Sequence, residues 1–171
     1  MKTTTFLVTD AAAEAATLRD VTDGQVVTLS EHPDLEAGEV IEATVRPEPP
    51  LEVAYEVVDI DERREIPVEH VEEGPTRRTR EVAADQPIGE LTRRERAGDG
   101  EIHVLTVPAG GAADAAATVV DDEATVERAA RLGVVRVEVR SAETTEQTGN
   151  GAETAGGNGD HGVVSVRYLP D

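Results

Sequence analysis

Cysteine is missing from the 171 residues of this chain, and so is tryptophan. Without a thiol there is no disulfide framework, no thiolate metal site and no cysteine nucleophile. Aromatic rings are scarce: Phe6, Tyr55 and Tyr168 are the whole set. Any core must therefore be aliphatic, and three rings furnish little of a base-stacking platform. Lysine occurs once, at Lys2, and the other fifteen cations are arginines. No run approaches the roughly 18 apolar residues of a membrane span. Met1-Lys2-Thr3 leads into a strand pattern without the features of a secretory leader. The expectation is a cytoplasmic protein with no membrane association.

What the chain has in abundance is negative charge: 36 Asp and Glu against 16 Lys and Arg, a formal net of −20. Disorder can carry such a charge, but Val-, Ile- and Leu-rich strand patterns run through this sequence and argue for a folded protein. A lysine-poor chain rich in Asp, Glu, Thr, Ala and Val suits work in molar salt. A guanidinium is less strongly hydrated than an ammonium and pairs carboxylates two-pronged. At about 1 M salt the Debye length is about 3 Å, so a dense carboxylate surface hardly repels itself. At low salt the same surface pushes the compact state apart.

The first half reads as a strand meander. Phe6-Leu7-Val8, residues 16–21, residues 25–29, the alternating run 39–45 and a run over 51–60 are strand-like, with Thr22-Asp23-Gly24 as a hairpin turn. Residues 31–35 leave room for one helical turn, and Pro47, Pro49 and Pro50 end the fourth run. The pattern predicts a small antiparallel barrel-like domain of the OB or SH3-like kind over 1–66. Residues 67–89, with three prolines and many charges, read as a linker that holds at most a helical turn or two at 77–84. The remainder, 90–171, reads as β-β-α-α-β-β. Strands fall near 90–96 and 101–107, helices at 112–120 and 124–132, and further strands at 134–140 and 163–169. This is an α+β arrangement, an antiparallel sheet with helices on one face. Gly133 is placed to cap the second helix, and the Gly/Thr/Glu/Asn loop at 142–161 reads as disordered.

Arginine clustering is the sharpest local anomaly. Residues 76–96 hold Arg77, Arg78, Arg80, Arg93, Arg94 and Arg96 against four acids, +2 within a chain of −20. Such a patch grips phosphate or an acidic partner, or forms cross-strand ion pairs with the surplus carboxylates. Nucleic acid is disfavoured: phosphate binding weakens steeply as salt rises, and residues 1–75 carry 19 acids against 5 bases. His103, mid-strand between Ile102 and Val104, is placed to meet Arg94 or Glu95 across the hairpin, as a sheet-surface or core histidine or as an acid/base group. Pro108-Ala109-Gly110-Gly111 before a helix offers backbone N–H groups of anion-binding type, yet matches neither GxGxxG nor a Walker loop. The four histidines share no metal-ligand spacing. No catalytic residue, cofactor or metal is indicated.

The stretches Thr5–Thr9, Arg94–Pro108 (Arg94-Glu95-Arg96-Ala97-Gly98-Asp99-Gly100 followed by Glu101-Ile102-His103-Val104-Leu105-Thr106-Val107-Pro108) and Arg128–Arg140 resemble an uncharacterised family of haloarchaeal proteins, a domain of unknown function. The resemblance spans most of the chain apart from 142–161. It implies a haloarchaeal cytoplasm and supplies no activity or ligand. Two functions then compete. The first is a non-catalytic interaction module that docks a protein partner through the second sheet or the arginine-bearing hairpin. The second is a small-ligand binder or enzyme built on Arg93, Arg94, Arg96 and His103. Association of the barrel with RNA or the ribosome is a weaker third.

Overall fold

A computed structural model describes residues 1–95, 100–144 and 160–170. Arg96 and all but the ends of the 142–161 loop lie outside the described residues. The elements in chain order are β1 (Lys2–Ala11), β2 (Ala16–Asp20), β3 (Val26–Leu29), β4 (Val40–Pro47), β5 (Tyr55–Arg64), β6 (Val68–His70), α1 (Arg77–Ala84), β7 (Leu91–Glu95), β8 (Glu101–Pro108), α2 (Ala112–Asp121), α3 (Glu123–Leu132), β9 (Arg136–Thr144) and β10 (His161–Leu169). They form two compact units, residues 1–67 with 123–135 and residues 68–122 with 136–171.

In the first unit five strands close into a ring, β1-β2-β3-β5-β4, with β4 returning to pair with β1. All neighbours are antiparallel except β3 and β5, which run parallel through Leu29 and Tyr55. The inward rows, among them Phe6, Val8, Leu18, Leu29, Ile41 and Val45, make an aliphatic core around a single phenylalanine. Each such side chain contributes roughly 1.5–3 kcal/mol by leaving water. The Asp-Gly hairpin forms as its sequence indicates: Gly24 takes φ 78°, and its N–H donates to Asp20 O at 2.9 Å. The only lysine pins this turn to β1, with Lys2 Nζ 2.6 Å from Asp20 and 2.9 Å from Asp23.

Two local expectations fail here. No helical turn forms at 31–35. Asp34 adopts φ 51° instead, and Arg63 holds the loop by donating to Pro33 O and Asp34 O while gripping Glu39 with two nitrogens at 2.9 Å. The strand expected from residue 51 begins at Tyr55, leaving Leu51 and Val53 exposed. Register shifts in the β4–β5 ladder then move the inward row from Val57 to Ile60.

Helix α3 belongs to this first unit and not to the sheet that follows it in sequence. It lies against β1, whose outward-facing Leu7 is buried. Arg19 meets Glu127 at 3.3 Å, and Arg131 Nε donates to Val21 O at 2.6 Å. Its end is a Schellman turn: Val134 N–H reaches Ala129 O, Gly133 N–H reaches Ala130 O, and Gly133 sits at φ 72°.

The second unit is a five-stranded sheet in the order β6-β9-β10-β8-β7. Its four later strands pair antiparallel as their alternation predicts. β6, however, adds parallel to β9, so the sheet is mixed rather than antiparallel. Helices flank both faces rather than one. Ala83 of α1 packs with Val104 and Val163, while Ala112 of α2 approaches Gly162. Successive strand residues such as Gly162 and Val163 point to opposite faces. Residues 67–89 thus contain β6 and α1. Thr76 caps α1, its hydroxyl accepting from Thr79 N–H, and buried Gln86 donates to Glu90 O, Val104 O and Thr106 Oγ, tying the helix end to the β7–β8 hairpin.

Candidate functional site

The arginines of 76–96 arrive on two elements that meet. α1 carries Arg77, Arg78 and Arg80. Arg77 is almost fully exposed, its Nε 3.4 Å from Glu81 one turn on. Arg80 Nε donates to Pro75 O, and its guanidinium lies so close to Gly74 that a methyl there would fall 2.9 Å from it. Arg78 looks toward the hairpin. Between α1 and that hairpin lies a cleft of about 350 Å³, lined by the charged Arg78, Arg94 and Glu95 and by the apolar Val82, Ile102 and Val104.

The hairpin splits the rest of the cluster. In the β7–β8 ladder Arg94 stands opposite Ile102, and Arg93 stands opposite His103. Residues paired across a ladder share a face, so Arg94 points to the cleft while Arg93 and His103 belong to the other side of the sheet. His103 is buried there, with Nε2 2.9 Å from Glu101 and its ring 4.8 Å from that of Tyr168. Of the residues singled out in the sequence, then, Arg78 and Arg94 converge. Arg77 and Arg80 flank them on α1, Arg93 and His103 lie behind, and Arg96 lies outside the described residues.

A second arginine group shares the cleft face. Arg167 stands opposite Ile102 in the β10–β8 ladder and opposite Glu138 in the β10–β9 ladder. Glu138 is approached by Arg136 at 2.7 Å, Arg140 at 3.4 Å and Arg167 at 3.5 Å. Burial favours the neutral acid, but the Arg136 hydrogen bond and the charges of all three arginines outweigh it and hold Glu138 below the usual carboxylate range. Arg140 also reaches Glu73 at 2.9 Å. The alternation of Arg136, Glu138 and Arg140 was visible in the sequence; that Arg167 and the cleft lie on the same face depends on strand register, which periodicity does not set.

The Pro108–Gly111 turn does hold an anion, and that anion is the chain's own. Glu143 accepts from Gly110 N–H at 2.8 Å and Ala112 N–H at 2.9 Å, and those two bonds lower its pKa. The remaining histidines are dispersed: His32 Nδ1 accepts from Leu35 N–H, His70 Nε2 lies 2.8 Å from Ser141 Oγ, and His161 is buried in β10. Among the described residues no group of three or more His, Asp and Glu comes together as a metal site, and no helix is long and apolar enough to cross a membrane. The first unit has a larger groove of about 580 Å³, whose lining includes Glu31, Glu48, Glu56 and Asp59. Its charge is opposite to that of the arginine cleft.

No curated protein and no solved structure matches the chain. Residues 2–141 do match the model of one family, and on that match the chain belongs to DUF5812, a family of unknown function.

Proposed function

We propose that this protein is a non-catalytic interaction module whose second unit docks an acidic segment of a protein partner in the cleft between α1 and the β7–β8 hairpin. The observation that carries the reading is the convergence of two arginines, Arg78 and Arg94, against the single acid Glu95 on an apolar-floored cleft in a chain of net charge −20. Two guanidiniums present donors in the fork geometry that carboxylates accept, and Val82, Ile102 and Val104 supply the contact that survives in salt. His103 stands on the other face with Arg93 and beside Glu101. The cluster of Arg93, Arg94 and His103 is thus divided between two faces of the sheet, which weighs against its acting as one acid–base site. The volume of the cleft favours a second reading, a small organic anion with a short aliphatic body, since small-molecule sites begin near about 300 Å³.

The same reading includes salt adaptation in a haloarchaeal cytoplasm, supported by the acid excess and the fifteen-to-one ratio of arginine to lysine. It includes an OB-type ordering for the first unit, supported by the ring β1-β2-β3-β5-β4 with parallel β3 and β5. A nucleic-acid role for that barrel meets an acid-lined groove of the wrong sign. The test is fluorescence anisotropy with a labelled Glu- and Val-containing hexapeptide in about 2 M KCl, where screening leaves only direct contacts. Binding should weaken at least about tenfold in the Arg78→Ala/Arg94→Ala variant, the loss of one to two charge-assisted hydrogen bonds. Equal binding by wild type and variant removes the cleft from the account.

A further inference from the structure

The cleft lies beside an open strand edge, and this suggests how a segment would be held. β7 is the last strand of its sheet. Thr106 N–H donates to Glu90 O, and bonded pairs recur at every second residue of an antiparallel ladder. Thr92 and Arg94 therefore turn their backbone groups toward β8, while Leu91, Arg93 and Glu95 turn theirs outward. Among the described residues none bonds to those outward groups. Helix α1 packs over β8 and β10, which leaves the flank of β7 open, and four of its five residues are exposed.

Charge on an edge strand ordinarily blocks pairing with other chains. Here its sign selects a partner instead. A second copy pairing antiparallel about the centre of Arg93-Arg94 would set each Arg93 opposite the other copy's Arg94, and like charges directly opposite each other disfavour a ladder. An acidic strand meets the reverse. We infer that an extended acidic segment of a partner protein adds to β7 as a sixth strand. Two successive acidic residues would then serve both faces, one carboxylate reaching Arg94 and Arg78 in the cleft and the next reaching Arg93 behind the sheet, because neighbouring strand residues point opposite ways. Main-chain bonds to Leu91, Arg93 and Glu95 supply affinity, and the acidic pair supplies selectivity. This rests on the cleft reading above and adds to it the mode of binding.

The test uses the full chain and three forms of the peptide Val-Thr-Glu-Glu-Val-Thr, blocked at both ends: unmodified, N-methylated at odd positions and N-methylated at even positions. In an added strand only one alternate set of N–H groups faces β7. One methylated form should therefore bind at least about tenfold more weakly, while the other stays within about threefold of the parent. Arg93→Pro, which removes an outward N–H and no bond to β8, should keep the circular dichroism of the wild type and lose the peptide. Equal effects of the two methylation patterns overturn strand addition, and so does full binding by a folded Arg93→Pro. If equal methylation effects accompany a loss in Arg78→Ala/Arg94→Ala, the cleft stands and only the added strand falls. If no form of the peptide binds the wild type, both readings fall.

Discussion

Gly162 sits in β10 beneath the first turn of α2, and replacing it with alanine tests how that helix is seated. A methyl built on Gly162 falls 2.7 Å from Val107 Cγ2, 3.0 Å from Ala112 Cβ and 3.1 Å from Ala112 N. Carbon atoms settle at about 3.5–4.0 Å, so Val107 and the helix start must retreat by roughly half an ångström or more. Overpacking of this kind costs about 1–3 kcal/mol. The same retreat stretches the bonds from Gly110 and Ala112 to Glu143, adding up to about 1 kcal/mol because Glu143 is open to water. Alanine also restricts the unfolded chain, which returns about 0.4–1 kcal/mol. The central values of these terms leave Gly162→Ala a loss of about 2 kcal/mol, read from urea denaturation in molar KCl with an unchanged m-value. Adding Val107→Ala removes the nearest clash, so the double variant should lose less than the sum of the two singles by about 1 kcal/mol. A Gly162→Ala protein within about 0.5 kcal/mol of wild type would refute the seating of α2 on this face.

Acid should destabilise the protein through carboxylates that the fold holds low, Glu39, Glu138 and Glu143 among them. Arg63 bonding lowers Glu39, backbone bonding lowers Glu143, and arginine neighbours lower Glu138 against the opposing effect of burial. A depressed folded-state pKa contributes stability above the unfolded value and loses it as pH falls through the folded one. Stability should therefore be level above about pH 5 and decline below about pH 4.5, as followed by thermal melts across that range. Glu39→Gln should cost about 1–2 kcal/mol at neutral pH, less than a fully buried pair because Arg63 keeps contact with water, and should flatten the acid slope. A slope identical to that of wild type would separate Glu39 from the acid transition. Circular dichroism from about 3 M KCl down to about 0.05 M should show progressive loss of structure as screening is withdrawn, and a full native signal at the low end would remove the basis for salt adaptation.

Much of the strand and helix order was legible because it rests on local pattern. The Asp23-Gly24 turn, the alternation of Ile41, Ala43 and Val45, and the Gly133 cap are each set within a few residues. α1 falls at 77–84, where a helical turn or two was expected, but its seat on the sheet was hidden because its core-facing surface is small, Val82 and Ala83 amid arginines. β6 is three residues long and gains its place by pairing with a strand far along the chain. The candidate site was half visible for the same reason. Composition flagged the arginines, but only the ladder register separates Arg94 from Arg93, and only the position of α1 brings Arg78 to Arg94. α3 went to the other unit because its Ala129 and Ala130 face suits any apolar surface, and β1 offers Leu7.

That placement of α3 bears on how the protein is made. The chain passes between its units at 67/68, 122/123 and 135/136, so the ring of strands that is synthesised first waits for residues 123–135 before its unit is complete. Until residue 135 has left the ribosome, Leu7 has no helix over it and Val21 O has no Arg131 to accept from. A fragment ending at residue 67 would carry all five ring strands and still lack part of its own unit. The growing chain must keep an incomplete first unit soluble through more than sixty further residues, and a dense shell of carboxylates serves that interval as well as the finished fold.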